Sequence, residues 1–156
     1  MKPIEQNTAP PEVKAVFDDI KATRNVNDVN NFWKHLANEP RMLKHTWESL
    51  KAIMGDGALD PLTKELVYIA VSVTNNCEYC MASHTASARA KGATEAQINE
   101  LYAVVALANM TNRLANAYKV ASWGQPARGD AATSRITRCG PTGTDGRLSR
   151  WVVHGR

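Results

Sequence analysis

Four residues of reactive types lie within one short stretch of this chain: Glu65, Cys77, Cys80 and His84. On a helix, Cys80 and His84 share a face because they are four residues apart. Cys77 precedes Cys80 by three residues, close enough for a disulfide if the first helical turn is loose. These types and spacings indicate thiol redox chemistry or, with a fourth ligand from elsewhere, a zinc site. A third alternative is that the cysteines are structural.

Each of the four side chains has a place in thiol redox chemistry. A helix start favours a thiolate, the nucleophilic form of cysteine, because unpaired backbone N–H groups point at it. His84, one turn from Cys80, can take the thiol proton, and a carboxylate such as Glu65 orients the imidazole ring. A second cysteine can attack the sulfenic acid that peroxide leaves behind, which closes a disulfide. We therefore favour redox chemistry over the alternatives.

Helices are the elements predicted to position these residues. Apolar residues recur at helical spacing through most of the chain before residue 124, and no strand alternation stands out. Asp60-Pro61 predicts the start of one helix and Asn75-Asn76 its end. The inward positions predicted for that helix are Leu62, Leu66, Ile69, Ala70 and Val73. The prediction is a single all-α domain over residues 1–123.

The next helices follow from local signals. One is predicted from about Cys77 to Lys91, ending at Gly92. Thr94 and Gln97 form a predicted capping box for a further helix, and a last one is predicted from about Arg113 to Ser122.

A tight turn at Asn75-Asn76 would send the second helix back antiparallel to the first. Glu65 lies about 15 Å before this turn and His84 about 12 Å after it, at the usual helical rise. The two side chains are therefore expected at nearly the same level of a helical hairpin. The predicted order along the hairpin is Glu65, His84, Cys80 and Cys77.

Composition and charge exclude several function classes. The 156 residues suit one domain, and the net charge of +4 arises in residues 124–156, which hold six Arg and two Asp. Residues 1–123 are neutral and carry no basic surface typical of a nucleic-acid binder. No apolar run reaches the length of a membrane span or resembles an export signal. We expect a cytoplasmic protein without nucleic-acid or membrane partners.

Neither a cofactor nor a metal is expected. The glycines lack phosphate-loop spacing, and no second ligand pair of the zinc-finger type follows the cysteines. Residues 124–156 are rich in Gly, Arg, Thr and Ser, which predicts a basic disordered tail or, alternatively, a basic arm that docks on a partner. Cys139 and His154 lie in this tail and are expected to have no catalytic role.

The stretch ELVYIAVSVTNNCEYCMASH, from Glu65 to His84, resembles the signature of the AhpD-like alkylhydroperoxidases of the carboxymuconolactone decarboxylase superfamily. That signature is Glu, eleven residues, Cys-x-x-Cys, three residues and His, and every spacing is met. The flanking stretches LTKELVYIAVS and HTASARAKGATEAQINEL are also similar, and the resemblance covers about residues 10–122. Another branch of the superfamily decarboxylates a lactone and does not depend on a CxxC pair.

The resemblance implies an all-α fold that forms homo-oligomers, commonly trimers or hexamers. It also implies reduction of hydrogen peroxide or an alkyl hydroperoxide, with electrons from a thiol or a lipoylated donor protein. By this resemblance, Cys80 is the peroxidatic cysteine, Cys77 the more exposed resolving cysteine, and His84 with Glu65 the proton relay. Tyr79 stands where some family members carry an additional histidine.

The hypothesis is therefore a thiol-dependent peroxidase with a CxxC pair and a Glu/His relay. Two alternatives remain open. The first is a thiol–disulfide exchange protein or redox sensor without a significant peroxidase rate, and the second is a metal-binding or structural oligomer.

Overall fold

The computed structural model describes residues 1–122, which form helices and no strand, so the predicted all-α class is confirmed. Residues 124–156, the predicted tail, lie outside the described residues. The chain divides into two units, residues 1–110 and 111–156. The helices are α1 (Pro11–Arg24), α2 (Asn31–Leu36), α3 (Pro40–Met54), α4 (Pro61–Thr74), α5 (Glu78–Ala90) and α6 (Glu95–Ala117).

The first three helices and the segments beside them enclose an apolar core, here called the α1–α3 core. Trp33 of α2 and Trp47 of α3 meet edge to face at its centre, with ring centroids 5.5 Å apart. The indole N–H of Trp47 donates to Asp19 Oδ2 at 2.8 Å, so its one polar atom is satisfied. The members of the core are Ala9, Val13, Phe17, Ile20, Val29, Trp33, Ala37, Leu43 and Trp47.

The helices α4 and α5 pack against each other and carry the reactive residues. Asp60 caps α4 by accepting from the N–H of Thr63 at 2.9 Å, as the sequence predicts. The turn between the helices places Asn76 at a φ of 56°, a left-handed conformation that asparagine tolerates better than most residues. The N–H of Cys77 then donates to Ser72 O at 2.9 Å, and α5 begins.

The buried face of α4 differs from the predicted apolar stripe. Ile69 is buried, as predicted, but the other two buried side chains of the helix are the polar Glu65 and Ser72. The remaining members of the predicted stripe are only half-buried: Leu62, Leu66, Ala70 and Val73. The carboxylate of Glu65 finds its partners in His84 of α5 and Lys91, whereas the hydroxyl of Ser72 donates to the carbonyl oxygen of Tyr68 within α4 at 2.8 Å. Glu65, Ile69, Ser72, Thr85 and Ala88 form what we call the α4–α5 interior.

The capping box that opens α6 is present as predicted. Thr94 N–H donates to Gln97 Oε1 at 2.9 Å, and Gln97 N–H donates to Thr94 Oγ1 at 3.2 Å. The prediction of a separate helix from Arg113 was wrong, because α6 continues without interruption to Ala117 and contains neither glycine nor proline. None of the helices within residues 1–122 combines the length and apolar character that crossing a membrane requires.

Candidate redox site

The two cysteines lie together at the start of α5. Cys77 is the N-cap residue, and its Sγ accepts from the N–H of Cys80 at 3.3 Å. The two residues are joined by a disulfide, with their Cα atoms 5.3 Å apart, as the spacing allows. Both are half-buried. In the reduced form, the free amide groups of the first turn of α5 would favour a thiolate at this place.

The predicted contact between Glu65 and His84 is present. His84 Nδ1 lies 2.6 Å from Glu65 Oε2. Since an ionised carboxylate only accepts hydrogen bonds, Nδ1 carries the proton and donates it. This leaves Nε2 as the ring nitrogen for proton exchange. The structure therefore brings all four predicted residues to adjoining places on α4 and α5.

Lys91, just after α5, holds the second oxygen of the same carboxylate. Its Nζ donates to Glu65 Oε1 at 2.9 Å, so each oxygen of Glu65 has its own donor. Burial by itself would raise the pKa of Glu65, but the hydrogen bonds from His84 and Lys91 together outweigh it and hold this pKa below its ordinary value. Glu65 is therefore a buried carboxylate that stays ionised at neutral pH.

Tyr68 packs flat against the imidazole ring of His84. The ring centroids are 3.6 Å apart and the ring planes are inclined by 19°. The carboxylate fixes one edge of the imidazole and the phenol ring covers one face, so the orientation of His84 is set from two directions. Tyr68 was missed from the sequence, although its spacing of three residues from Glu65 was a usable signal. Lys91 follows α5 closely enough that a pair with Glu65 could be considered from the sequence, and the structure contains that pair.

A cleft of about 700 Å³, here called cleft A, opens onto these side chains. Cys80, His84 and Glu65 line it, whereas Cys77 does not. Aromatic side chains line it as well, among them Phe32, Trp33, Trp47, Tyr68 and Tyr79.

A second cleft, here called cleft B, has a volume of about 660 Å³ and reaches both cysteines. Its lining is mainly aliphatic and includes Ile53, Leu59, Val67 and Val71, each more than half exposed. Cys80 and Tyr68 line both clefts, Cys77 lines only cleft B, and His84 lines only cleft A. The disulfide is therefore accessible from two different clefts.

Tyr79, at the position of the additional family histidine, links α5 to α2. Its hydroxyl oxygen accepts from the backbone N–H of Phe32 at 3.3 Å, and the two rings lie side by side with centroids 6.3 Å apart. This contact places Tyr79 in the wall of cleft A, where its ring packs beside Phe32.

No group of three or more His, Cys, Asp and Glu side chains within residues 1–122 is arranged to hold a metal ion. Of the residues considered as zinc ligands from the sequence, Cys77 and Cys80 are bonded to each other, and His84 is hydrogen-bonded to Glu65.

Comparison with known proteins agrees with this geometry. The model of the carboxymuconolactone decarboxylase family matches residues 40–123, more than half of the chain. The chain belongs to this family. Within the family it is AhpD-like, because it is 57% identical to the alkylhydroperoxidase AhpD core from Rhodospirillum rubrum, whose crystal structure it matches with a TM-score of 0.70. That match covers 72% of this chain and 84% of the other.

Two curated relatives of this chain also match it. The alkyl hydroperoxide reductase AhpD of Azorhizobium caulinodans is 30% identical over 107 residues, which is 67% of this chain and 59% of the relative. An uncharacterised protein of the cox locus of Paracoccus denitrificans is 43% identical over 56 residues, 36% of this chain and 50% of the relative. The chain thus spans about half the length of the curated relatives it matches.

Proposed function

We propose that this protein is a thiol-dependent peroxidase that reduces hydrogen peroxide or alkyl hydroperoxides through Cys77 and Cys80. The observation that carries the proposal is the contact between the ionised Glu65 and His84 one helical turn from a disulfide-forming cysteine. Similarity to alkylhydroperoxidases supports the same activity.

In the proposed cycle, the thiolate of Cys80 attacks the terminal oxygen of the hydroperoxide. The O–O bond breaks, Cys80 becomes a sulfenic acid, and the alkoxide or hydroxide leaves with a proton from His84. The thiol of Cys77 then attacks the sulfenic sulfur, which releases water and forms the disulfide. A donor dithiol reduces this disulfide to two thiols and is itself oxidised to a disulfide.

The contacts of Glu65 support a proton-carrying role for His84. Because Lys91 and His84 both donate to Glu65 and keep its pKa low, this carboxylate is a poor proton acceptor near neutral pH. Its function would be to hold Nδ1–H in place and to stabilise the imidazolium that forms when Nε2 takes the thiol proton. The summed charge of Cys80, His84 and Glu65 does not change when the proton moves from the thiol to the imidazole.

The donor, a thiol or lipoylated protein, would reach Cys77 through cleft B. Cys77 lines this cleft and is absent from cleft A, where His84 lies. The aliphatic lining of cleft B suits the hydrocarbon arm of such a dithiol. A reducing compartment such as the cytoplasm would supply this donor and keep the cysteine pair reduced between turnovers.

A homo-oligomer, a trimer or hexamer by the family resemblance, is part of the proposal. On α6, Val104, Leu107 and Met110 are each more than half exposed, with exposed fractions of 57%, 57% and 53%. Large apolar side chains grouped on one helix are typical of surfaces that another subunit covers.

Two alternative functions, lactone decarboxylation and thiol–disulfide exchange, are less well supported by the site. The family name includes decarboxylases, but a bonded CxxC pair beside a histidine favours the redox branch. A thiol–disulfide exchanger or redox sensor would use the same residues, and it differs from a peroxidase in how fast Cys80 is oxidised by peroxide.

The decisive experiment is peptide mass mapping of reduced protein over seconds to minutes after one equivalent of peroxide. A peroxidase forms the Cys77–Cys80 crosslink rapidly, Cys80→Ser abolishes it, and Cys139→Ser, the control at the third cysteine, leaves it intact. In Cys77→Ser, a trapping reagent should label a sulfenic acid at Cys80. Thiols that stay free, or a crosslink that forms only with disulfide reagents, would contradict the peroxidase proposal.

A further inference from the structure

Cleft A is larger than hydrogen peroxide requires. Its volume of about 700 Å³ lies within the range of about 300–1,000 Å³ typical of pockets for drug-sized ligands. A single water accounts for roughly 30 Å³ of liquid, so peroxide would occupy only a small part of the cleft. The exposed aromatic side chains of its wall, Phe32, Tyr68 and Tyr79, suit an apolar organic group instead.

The charged side chains that line cleft A are unbalanced. They are Arg24, Lys51 and Lys91 against the single anion Glu65, although residues 1–123 as a whole are neutral. Two of the cations are already paired, Lys91 with Glu65 and Lys51 with Asp19. Arg24 has no carboxylate within ion-pair distance among residues 1–122. It is therefore the cation of this cleft that is available to a ligand.

Arg24 is held in place although it lacks an ionic partner. Its guanidinium carbon lies 5.5 Å from the ring centroid of Trp33 and 5.3 Å from that of Trp47. Partial burial lowers the pKa of Arg24, and charge interactions with the nearby Glu65 and Tyr79 partly oppose this shift. The guanidinium nevertheless remains protonated at neutral pH. A stacked, planar guanidinium is preorganised to bind a carboxylate through two parallel hydrogen bonds.

We propose that Arg24 forms an anion subsite in cleft A, which selects organic hydroperoxides that carry an acidic group beside an apolar body. This inference rests on the proposed peroxidase function and specifies its substrate class. The apolar body would lie on the exposed rings of Phe32 and Tyr79, and the acidic group would bind Arg24. The hydroperoxide would face Cys80 and His84.

The test compares the hydroperoxide of linoleic acid with that of its methyl ester, in which a neutral ester replaces the carboxylate and the rest of the molecule is the same. For the wild-type protein, Arg24→Gln and Arg41→Gln, the ratio of kcat/KM for the acid to kcat/KM for the ester is measured. Arg41 is the control because its side chain is 98% exposed and does not line cleft A. We expect the ratio to fall about tenfold in Arg24→Gln, the lower end for a charge-assisted hydrogen bond, and to be unchanged in Arg41→Gln.

A binding measurement separates this inference from the proposed function. Calorimetry gives the dissociation constants of the oxidised protein for the corresponding hydroxy acid and its methyl ester, neither of which needs turnover. Tighter binding of the acid, lost about tenfold in Arg24→Gln, supports the subsite even if no hydroperoxide is reduced, in which case only the peroxidase proposal fails. Equal binding of acid and ester, or no loss in Arg24→Gln, overturns the subsite even if peroxides are reduced.

Discussion

The α1–α3 core and the α4–α5 interior are built from opposite kinds of side chains. The first buries aromatic and aliphatic groups, with Phe17 and Trp33 almost completely removed from solvent. The second buries a carboxylate, Glu65, and the hydroxyls of Ser72 and Thr85 around a single large aliphatic residue, Ile69. Apolar burial stabilises a fold in proportion to area, whereas each buried polar group costs free energy unless it is paired.

This difference in buried side chains indicates that the α1–α3 core mainly stabilises the fold and that the α4–α5 interior mainly positions the candidate reactive residues. Side chains of the α1–α3 core, such as Trp33 and Trp47, fix one wall of cleft A. In the α4–α5 interior, hydrogen bonds from His84 and Lys91 offset the free-energy cost of burying the Glu65 carboxylate, which in turn fixes the orientation of His84. Substitutions in the first region should therefore mainly change the free energy of unfolding, and substitutions of Glu65 in the second should mainly change the rate of the chemistry.

The largest expected effect is on the α1–α3 core. Phe17→Ala removes a fully buried ring and should lower the free energy of unfolding by about 3–5 kcal/mol, measured by chemical denaturation. Phe32→Ala, at the other phenylalanine of the chain, is the control and should cost much less because Phe32 is 43% exposed. Equal losses in the two variants would show that the core does not carry the stability assigned to it.

In the α4–α5 interior, Glu65→Gln should reduce kcat/KM for peroxide by about a hundredfold or more, the range for impaired proton transfer. The amide keeps the shape of the side chain but does not stabilise an imidazolium. It also lacks the charge that the hydrogen bonds from His84 and Lys91 stabilise, so the thermal midpoint should fall while the protein stays folded. Glu78→Gln, at an exposed carboxylate of the first turn of α5, is the control for stopped-flow rates. A normal rate in Glu65→Gln would remove Glu65 from the relay.

Lys91→Met tests what keeps Glu65 ionised and should have a smaller effect, about tenfold on kcat/KM near pH 6. The folded pKa of Glu65 lies below its ordinary value, so its stabilising contribution is present above about pH 4.5 and is lost as the pH falls through the folded pKa. Without Lys91 the folded pKa rises, so the acid limbs of both stability and activity should move to higher pH.

The charge-conserving Lys91→Arg is the matched control for that shift. It should restore the acid limb measured in pH profiles of kcat/KM and of the unfolding midpoint. If Lys91→Met and Lys91→Arg have the same pH profile and that profile differs from the wild type, Lys91 acts through packing, and its charge does not set the pKa of Glu65.

The smallest expected effect is a gain in stability. Thr85 Oγ1 is buried and has no hydrogen-bond partner within residues 1–122. Thr85→Val replaces this hydroxyl with a methyl group of similar shape and should raise the free energy of unfolding by about 1 kcal/mol in urea denaturation. A loss of stability instead would show that the hydroxyl is hydrogen-bonded in solution.

The contact between Glu65 and His84 was predictable from the sequence because it depends on local geometry. The rise of two helices and the turn at Asn75-Asn76 place Glu65 level with His84, and the 2.6 Å contact follows from that register. The buried face of α4 was mispredicted because apolar periodicity gives no signal for a buried polar residue such as Ser72, whose hydroxyl is satisfied within its own helix. The walls of cleft A were also beyond prediction, since Arg24 and Trp33 reach it through packing between helices distant in sequence.

The presence of Cys80 in both clefts has a consequence for steady-state kinetics. Oxidation would begin in cleft A beside His84, and reduction would begin in cleft B beside Cys77. In a two-step cycle of this kind, a substrate in excess commonly inhibits by occupying the place of the other. Here each substrate would have its own entrance, so turnover should approach saturation in peroxide and donor together, with neither acting as a competitive inhibitor of the other.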